Sequence, residues 1–152
     1  MYKQIQNWFT SQWEINAQTE QNNNIELATA VLLYEVMRAD REFAESEQIS
    51  YRQQLNQHFS LSDSELEQLC TMSQDQAEDA VDFQQFTSVL NARCQPEQKR
   101  AILDSLWTVA FADRVLTPDE DYTIRKIAEL LYIPHSQFIQ SKLAIQDNTS
   151  KN

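Results

Sequence analysis

Four acidic residues occur in two pairs of identical spacing. Asp40 and Glu47 stand seven residues apart, and Asp113 and Glu120 repeat that interval 73 residues later. Carboxylate oxygens without softer donors suit hard divalent cations: calcium, magnesium or manganese. Zinc normally takes histidine or cysteine, and neither pair has one nearby. The EF-hand loop, with its own spacing and sixth-position glycine, is absent. Four carboxylates gathered within about 5 Å would repel by about 3 kcal/mol per pair at an effective dielectric near 20. Either they stay apart or positive charge sits among them. Glu35 is a fifth, more distant candidate, and Thr108 takes its place in the second copy.

A purely structural reading competes with this chemistry. Thr117 to Glu120 is a capping box, in which the glutamate serves the start of a helix. Glu47 falls in a first helical turn, where the macrodipole favours anions. Asp40 and Asp113 can accept amides of the turn that follows them. Arg38, Arg41 and Arg114 can supply salt bridges. From residue types alone both readings stand.

The pairs are embedded in a longer repetition. "LLYEVMRADREFAESEQISYR" (Leu32 to Arg52) returns as "SLWTVAFADRVLTPDEDYTIR" (Ser105 to Arg125). In each copy an apolar helical run ends in Ala-Asp-Arg, and a short connection leads to the glutamate. "HFSLSDSEL" resembles "LLYIPHSQF" at an offset of 72, so the unit is helix, acidic turn, helix, short turn, helix. The expected fold is all-α: a compact bundle of about seven core helices, from two repeats about a pseudo-twofold axis, plus an N-terminal amphipathic helix. The expected organisation is an N-terminal helix and polar linker over 1–24, a domain over 25–145 and a polar tail over 146–152.

The elements follow from periodicity. Ile5, Trp8, Phe9 and Trp13 make an aromatic stripe at helical spacing. Gln18 to Asn24 reads as a linker, with Asn24 an N-cap. Ile25 to Ala39 is apolar on several faces and belongs in the core. A helix from about Ser46 to Phe59 points Ile49, Tyr51, Leu55 and Phe59 inward. Ser62 to Glu65 is a capping box opening a helix with Leu66, Leu69 and Met72. Helices from about Val81 to Ala92, from Pro96 to Ala112, from Pro118 to Leu131 and from Pro134 onward complete the chain.

Composition narrows the function classes. The 152 residues contain no glycine, which excludes glycine-rich phosphate loops and the GxSxG elbow. Net charge is −11, and the stretch 53–92 holds no lysine or arginine but seven acids from Asp63 to Asp82. Nucleic acid is not an expected partner, because counterion release cannot favour such a surface. Cys70 and Cys94 lack metal-ligand spacing and are expected as reduced thiols. No stretch reaches the roughly 20 apolar residues of a membrane span, and no secretory signal opens the chain, so the cytoplasm is the expected location.

The segment "LWTVAFADRVLTPDEDYTIRKIAELLYIPHSQFIQSKL" (Leu106 to Leu143) resembles the TerB family, the tellurite-resistance B proteins, and "LLYEVMRADREFAESEQ" resembles that family's opening segment. The resemblance spans about 25 to 143. It implies an all-helical, non-enzymatic domain with protein partners, membrane-associated ones among them. It also implies a divalent-metal site at Asp40, Glu47, Asp113 and Glu120, with Glu35 a weaker member. The glycine that commonly follows the family's aspartate is Arg41 and Arg114 here. That places a cation beside each acidic pair and removes the residue that takes positive φ freely. The expected function is a binding module of a tellurite-resistance or bacterial stress system, holding calcium, magnesium or manganese. The alternative is a metal-free scaffold that recruits a protein through its acidic surface. A hydrolase using Cys70 with His58 or His135, or paired carboxylates, is the third class, and no motif favours it.

Overall fold

The computed structural model describes residues 17–39 and 44–151. They form seven helices and no strand: α1 (Ala17–Met37), α2 (Glu45–Phe59), α3 (Asp63–Asp79), α4 (Gln84–Arg93), α5 (Pro96–Ala110), α6 (Pro118–Leu130) and α7 (His135–Lys151). The aromatic stripe of Ile5, Trp8, Phe9 and Trp13 lies outside the described residues.

The core is built around α1. Ala30, Val31, Leu32, Leu33 and Val36 are all fully buried, so apolar side chains leave this helix in every direction. Burial on all sides demands cover on all sides, and α2, α3, α4, α5 and α6 each pack against it. The second centre is α5, where Leu103, Leu106, Trp107 and Val109 are fully buried. The Trp107 ring meets Phe111 and Phe138, with centroids 5.9 Å and 5.2 Å away. Helices α1 and α5 pack on each other, α2 packs on α5, and α6 packs on α1. Exchanging α1, α2 and α3 for α5, α6 and α7 maps those pairings onto one another, and α4 alone has no counterpart.

Local signals account for the helix starts. Ser62 Oγ accepts the Glu65 amide at 3.2 Å, and Glu65 Oε1 accepts the Ser62 amide at 2.9 Å. Pro96 opens α5, and Gln98 Oε1 accepts the Gln95 amide at 2.7 Å. Two ends lack the glycine that usually takes the left-handed conformation: Ser60 closes α2 at φ 51, and Tyr132 follows α6 at φ 59.

Four local expectations are corrected. Residues 18–24 belong to α1 and Asn24 lies inside it, because the polar residues there are modest helix formers rather than breakers. Helix α7 runs on to Lys151 through the expected polar tail, since no proline or glycine stops it. Ile49 is half exposed: at 3.6 residues per turn the inward stripe of α2 is Glu47, Ser50, Tyr51 and Leu55, and position 49 falls off it. The helix expected from Val81 starts at Gln84, leaving Val81 97% exposed.

The Glu26 carboxyl on α1 is pushed up to about 7, first by burial and then by the charge of Glu65. The folded state therefore holds a proton that the unfolded chain releases near 4.5, so this contribution to stability is full below that pH and is lost as pH rises through about 7. Glu26→Gln should raise the thermal midpoint above about pH 7 and have little effect below about pH 4.5, as melts across pH would show. Ser60→Gly removes left-handed strain of about 1–2 kcal/mol and adds about 0.5–1 kcal/mol of unfolded-state entropy. Urea titration should report a net gain.

Candidate functional site

Helices α1 and α5, which lead into the two acidic turns, each end at a cleft. Glu35 and Arg38, in the last turn of α1 and just beyond it, face Tyr122 and Lys126 of α6 across a cleft of about 360 Å³. On the other side Thr108, Phe111 and Ala112 face Ser46, Ile49 and Gln53 of α2 across a cleft of about 290 Å³. Ser50 Oγ reaches the Thr108 carbonyl at 3.5 Å. The end of α5 thus lies beside the start of α2, and the end of α1 lies along α6 from Tyr122 to Leu130.

The backbone at the two exits matches at the repeat interval. The Arg38 amide donates to the Tyr34 carbonyl and that of Ala39 to Val36; the Phe111 amide donates to Trp107 and that of Ala112 to Val109. In the second turn Asp113 Oδ1 accepts the Val115 amide at 3.0 Å, and the Arg114 amide donates to Phe111. Arg114 takes φ 66, so the turn keeps a left-handed residue although no glycine is present. Without glycine the conformation is not free: the chain accepts strain of about 1–2 kcal/mol there. Asp40 and Arg41, the counterparts in the first turn, lie outside the described residues.

Both glutamates of the pairs are fully buried, Glu47 at the start of α2 and Glu120 at the start of α6. Burying a carboxylate is costly without compensating partners. Glu120 Oε1 accepts the Thr117 amide at 2.9 Å and the Thr117 hydroxyl at 3.2 Å, while Thr117 Oγ1 accepts the Glu120 amide at 3.1 Å. The expected capping box is present. In α2 the cap position is Ala44, which has no side-chain acceptor, and the Glu47 amide bonds the Ala44 carbonyl at 3.1 Å.

Glu35 carries its own cation. Arg38 Nη2 lies 2.9 Å from its carboxylate, and the same guanidinium donates to the Ala77 carbonyl. Burial pushes the Glu35 carboxyl up from its ordinary value, and the Arg38 charge and hydrogen bond oppose that rise. Among the described residues no group of three or more His, Cys, Asp and Glu could hold a metal ion. Glu35, Glu47, Asp113 and Glu120 therefore do not make a complete ligand set by themselves. The oxygen-only donor set remains the one hard cations prefer.

The other reactive side chains lie elsewhere. Cys70 is buried, and burial raises its thiol above the ordinary value. Tyr51 and Ser73 share a hydrogen bond at 2.5 Å, with Ser73 also donating to the Cys70 carbonyl. His58 Nε2 sits 2.7 Å from Ser105 Oγ, whose hydroxyl donates to Gln54 Oε1 at 2.8 Å. With that proton committed, the imidazole is the donor and ties α2 to α5. Sequence reasoning missed the α1/α6 cleft. Its available signal was the solvent-facing placement of Tyr122 and Lys126 one turn apart on α6.

An all-helical domain with acids repeated at the starts of α2 and α6 defines the class of protein. The family model described as "Tellurite resistance protein TerB" matches residues 26–143, most of the chain. The chain belongs to the TerB family. No curated protein and no solved structure matches it. No described helix is long and apolar enough to cross a membrane.

Thr117→Ala should cost about 1 kcal/mol by removing one half of the box, and Ala44→Thr should add a similar amount by building one with Glu47. Urea denaturation of the two variants checks both signs.

Proposed function

We propose that this chain is a non-enzymatic binding module of a tellurite-resistance or stress-response system, working in the cytoplasm with protein partners. Its ligand is a divalent cation, calcium, magnesium or manganese, held at the acidic turns by Glu47 and Glu120 with Asp40 and Asp113. The observation that carries this reading is the complete burial of Glu47 and Glu120, 73 residues apart in the sequence and each in the first turn of its helix. Two buried carboxylates at the same place in the repeat, with oxygen donors only, suit a hard cation bound at the turns. The bound cation would supply charge neutralisation and would lock two inter-helix connections together. The matched exit hydrogen bonds support a common origin for the turns, and the pseudo-twofold relation of the halves is part of this proposal.

A second reading keeps the fold and drops the cation. Asp63, Glu67, Asp75, Glu78, Asp79 and Asp82 are all exposed along α3 and the connection after it. Such a face favours a basic protein partner, with the paired acids acting as caps.

Thermal unfolding in EDTA, then in millimolar calcium, magnesium or manganese, separates the two. A cation at about 100 times its dissociation constant should add about 2.7 kcal/mol and raise the midpoint. Asp40→Asn combined with Asp113→Asn should abolish that rise. If no cation raises the midpoint, or the double variant keeps the rise, the cation reading fails and the scaffold reading gains.

A further inference from the structure

The cleft between α1 and α6 stands apart from the buried glutamates. The two clefts are equivalent in position but not in chemistry. At the repeat interval Glu35, Arg38, Tyr122 and Lys126 correspond to Thr108, Phe111, Ile49 and Gln53, so at these four positions the charges lie on one side, while the second cleft has Arg114 at its wall. Phe83 and Leu130 are half-buried and give the charged cleft an apolar lining, contributed partly by the connection between α3 and α4. Its volume of about 360 Å³ is of the size that takes one large apolar group.

The charges do not all remain available. Glu35 and Arg38 neutralise each other at 2.9 Å, and Asp82 Oδ1 accepts the Gln84 amide at 2.9 Å. Lys126 is exposed and makes no ion pair among the described residues. The edge is apolar: Val81 is 97% exposed and Tyr122 66% exposed. These two extend the apolar surface outside the cavity, beyond what an occupant of that volume would cover. Covering them takes a polypeptide, and Lys126 beside them selects one with an acid.

We propose that this cleft is a docking site for a partner protein segment. It takes a bulky apolar side chain against Phe83 and Leu130, with a neighbouring aspartate or glutamate paired to Lys126. The site shares no residue with the buried pair Glu47 and Glu120, so it stands or falls independently of the cation response.

The test uses the full ¹⁵N-labelled chain titrated with acetyl-Phe-Glu-amide, acetyl-Phe-Gln-amide and acetyl-Phe-Lys-amide. The expected result is saturable amide shifts at 80–83 and 122–130 in the order Glu, Gln, Lys. Lys126→Glu should reverse that order, and the exposed pair should contribute about threefold in affinity. Val81→Asp, at a surface position that cannot unfold the core, should weaken the acidic peptide. No shift at millimolar peptide, or an order unchanged by Lys126→Glu, would overturn the proposal. Concentration-dependent shifts at the same amides without peptide would assign the face to a second copy and overturn it too.

Discussion

Everything in this domain depends on one helix having no side that can meet water. Along α1 the run Ala30 to Leu33 and Val36 is sealed, and five neighbours are required to seal it. Each large aliphatic side chain so buried contributes about 1.5–3 kcal/mol relative to exposure. From Ala28 to Met37 only Glu35 is left partly open to solvent. The chain emerges at Glu35 and Arg38, and the first acidic turn lies just beyond.

The same logic acts on α5, less completely, since Pro96 to Arg100 remain at or near the surface while Ile102 to Ala110 are mostly buried. Because α1 and α5 pack on each other, each also supports the start of the other's continuation, α2 on α5 and α6 on α1. Glu47 and Glu120 are then enclosed by the arrangement that joins the halves. This is how a stability element and a candidate ligand position come to share the same residues.

What was legible in the sequence was whatever one turn of chain can encode. The Ser62 and Thr117 boxes and the proline starts depend on neighbours three or four residues away. The family resemblance was legible because the repeat preserved both core spacing and acids. The errors arose where local signals were weak. Gln and Asn over 18–24 neither favour nor forbid a helix, and α1 continues through them. Ile49 was placed inward on its type, whereas the register of Tyr51 and Leu55 turns it out. The α1/α6 cleft was not legible, since Arg38 meets Lys126 only through the packing of distant helices. Of the five candidate acids, four were located: two sealed in the interior, one bonded in its turn and one paired with arginine.

The absence of glycine has a further consequence for the unfolded chain. Among the described residues, Ser60, Arg114 and Tyr132, with full side chains, occupy the left-handed conformation that glycine would take without strain. Each adds strain to the native state, yet each also narrows the range of shapes open to the chain before it folds. A chain with side chains at every backbone position begins its collapse stiffer than one punctuated by glycine. Its bends are held by the surrounding helices rather than by permissive joints, so the turns should loosen only when the bundle does.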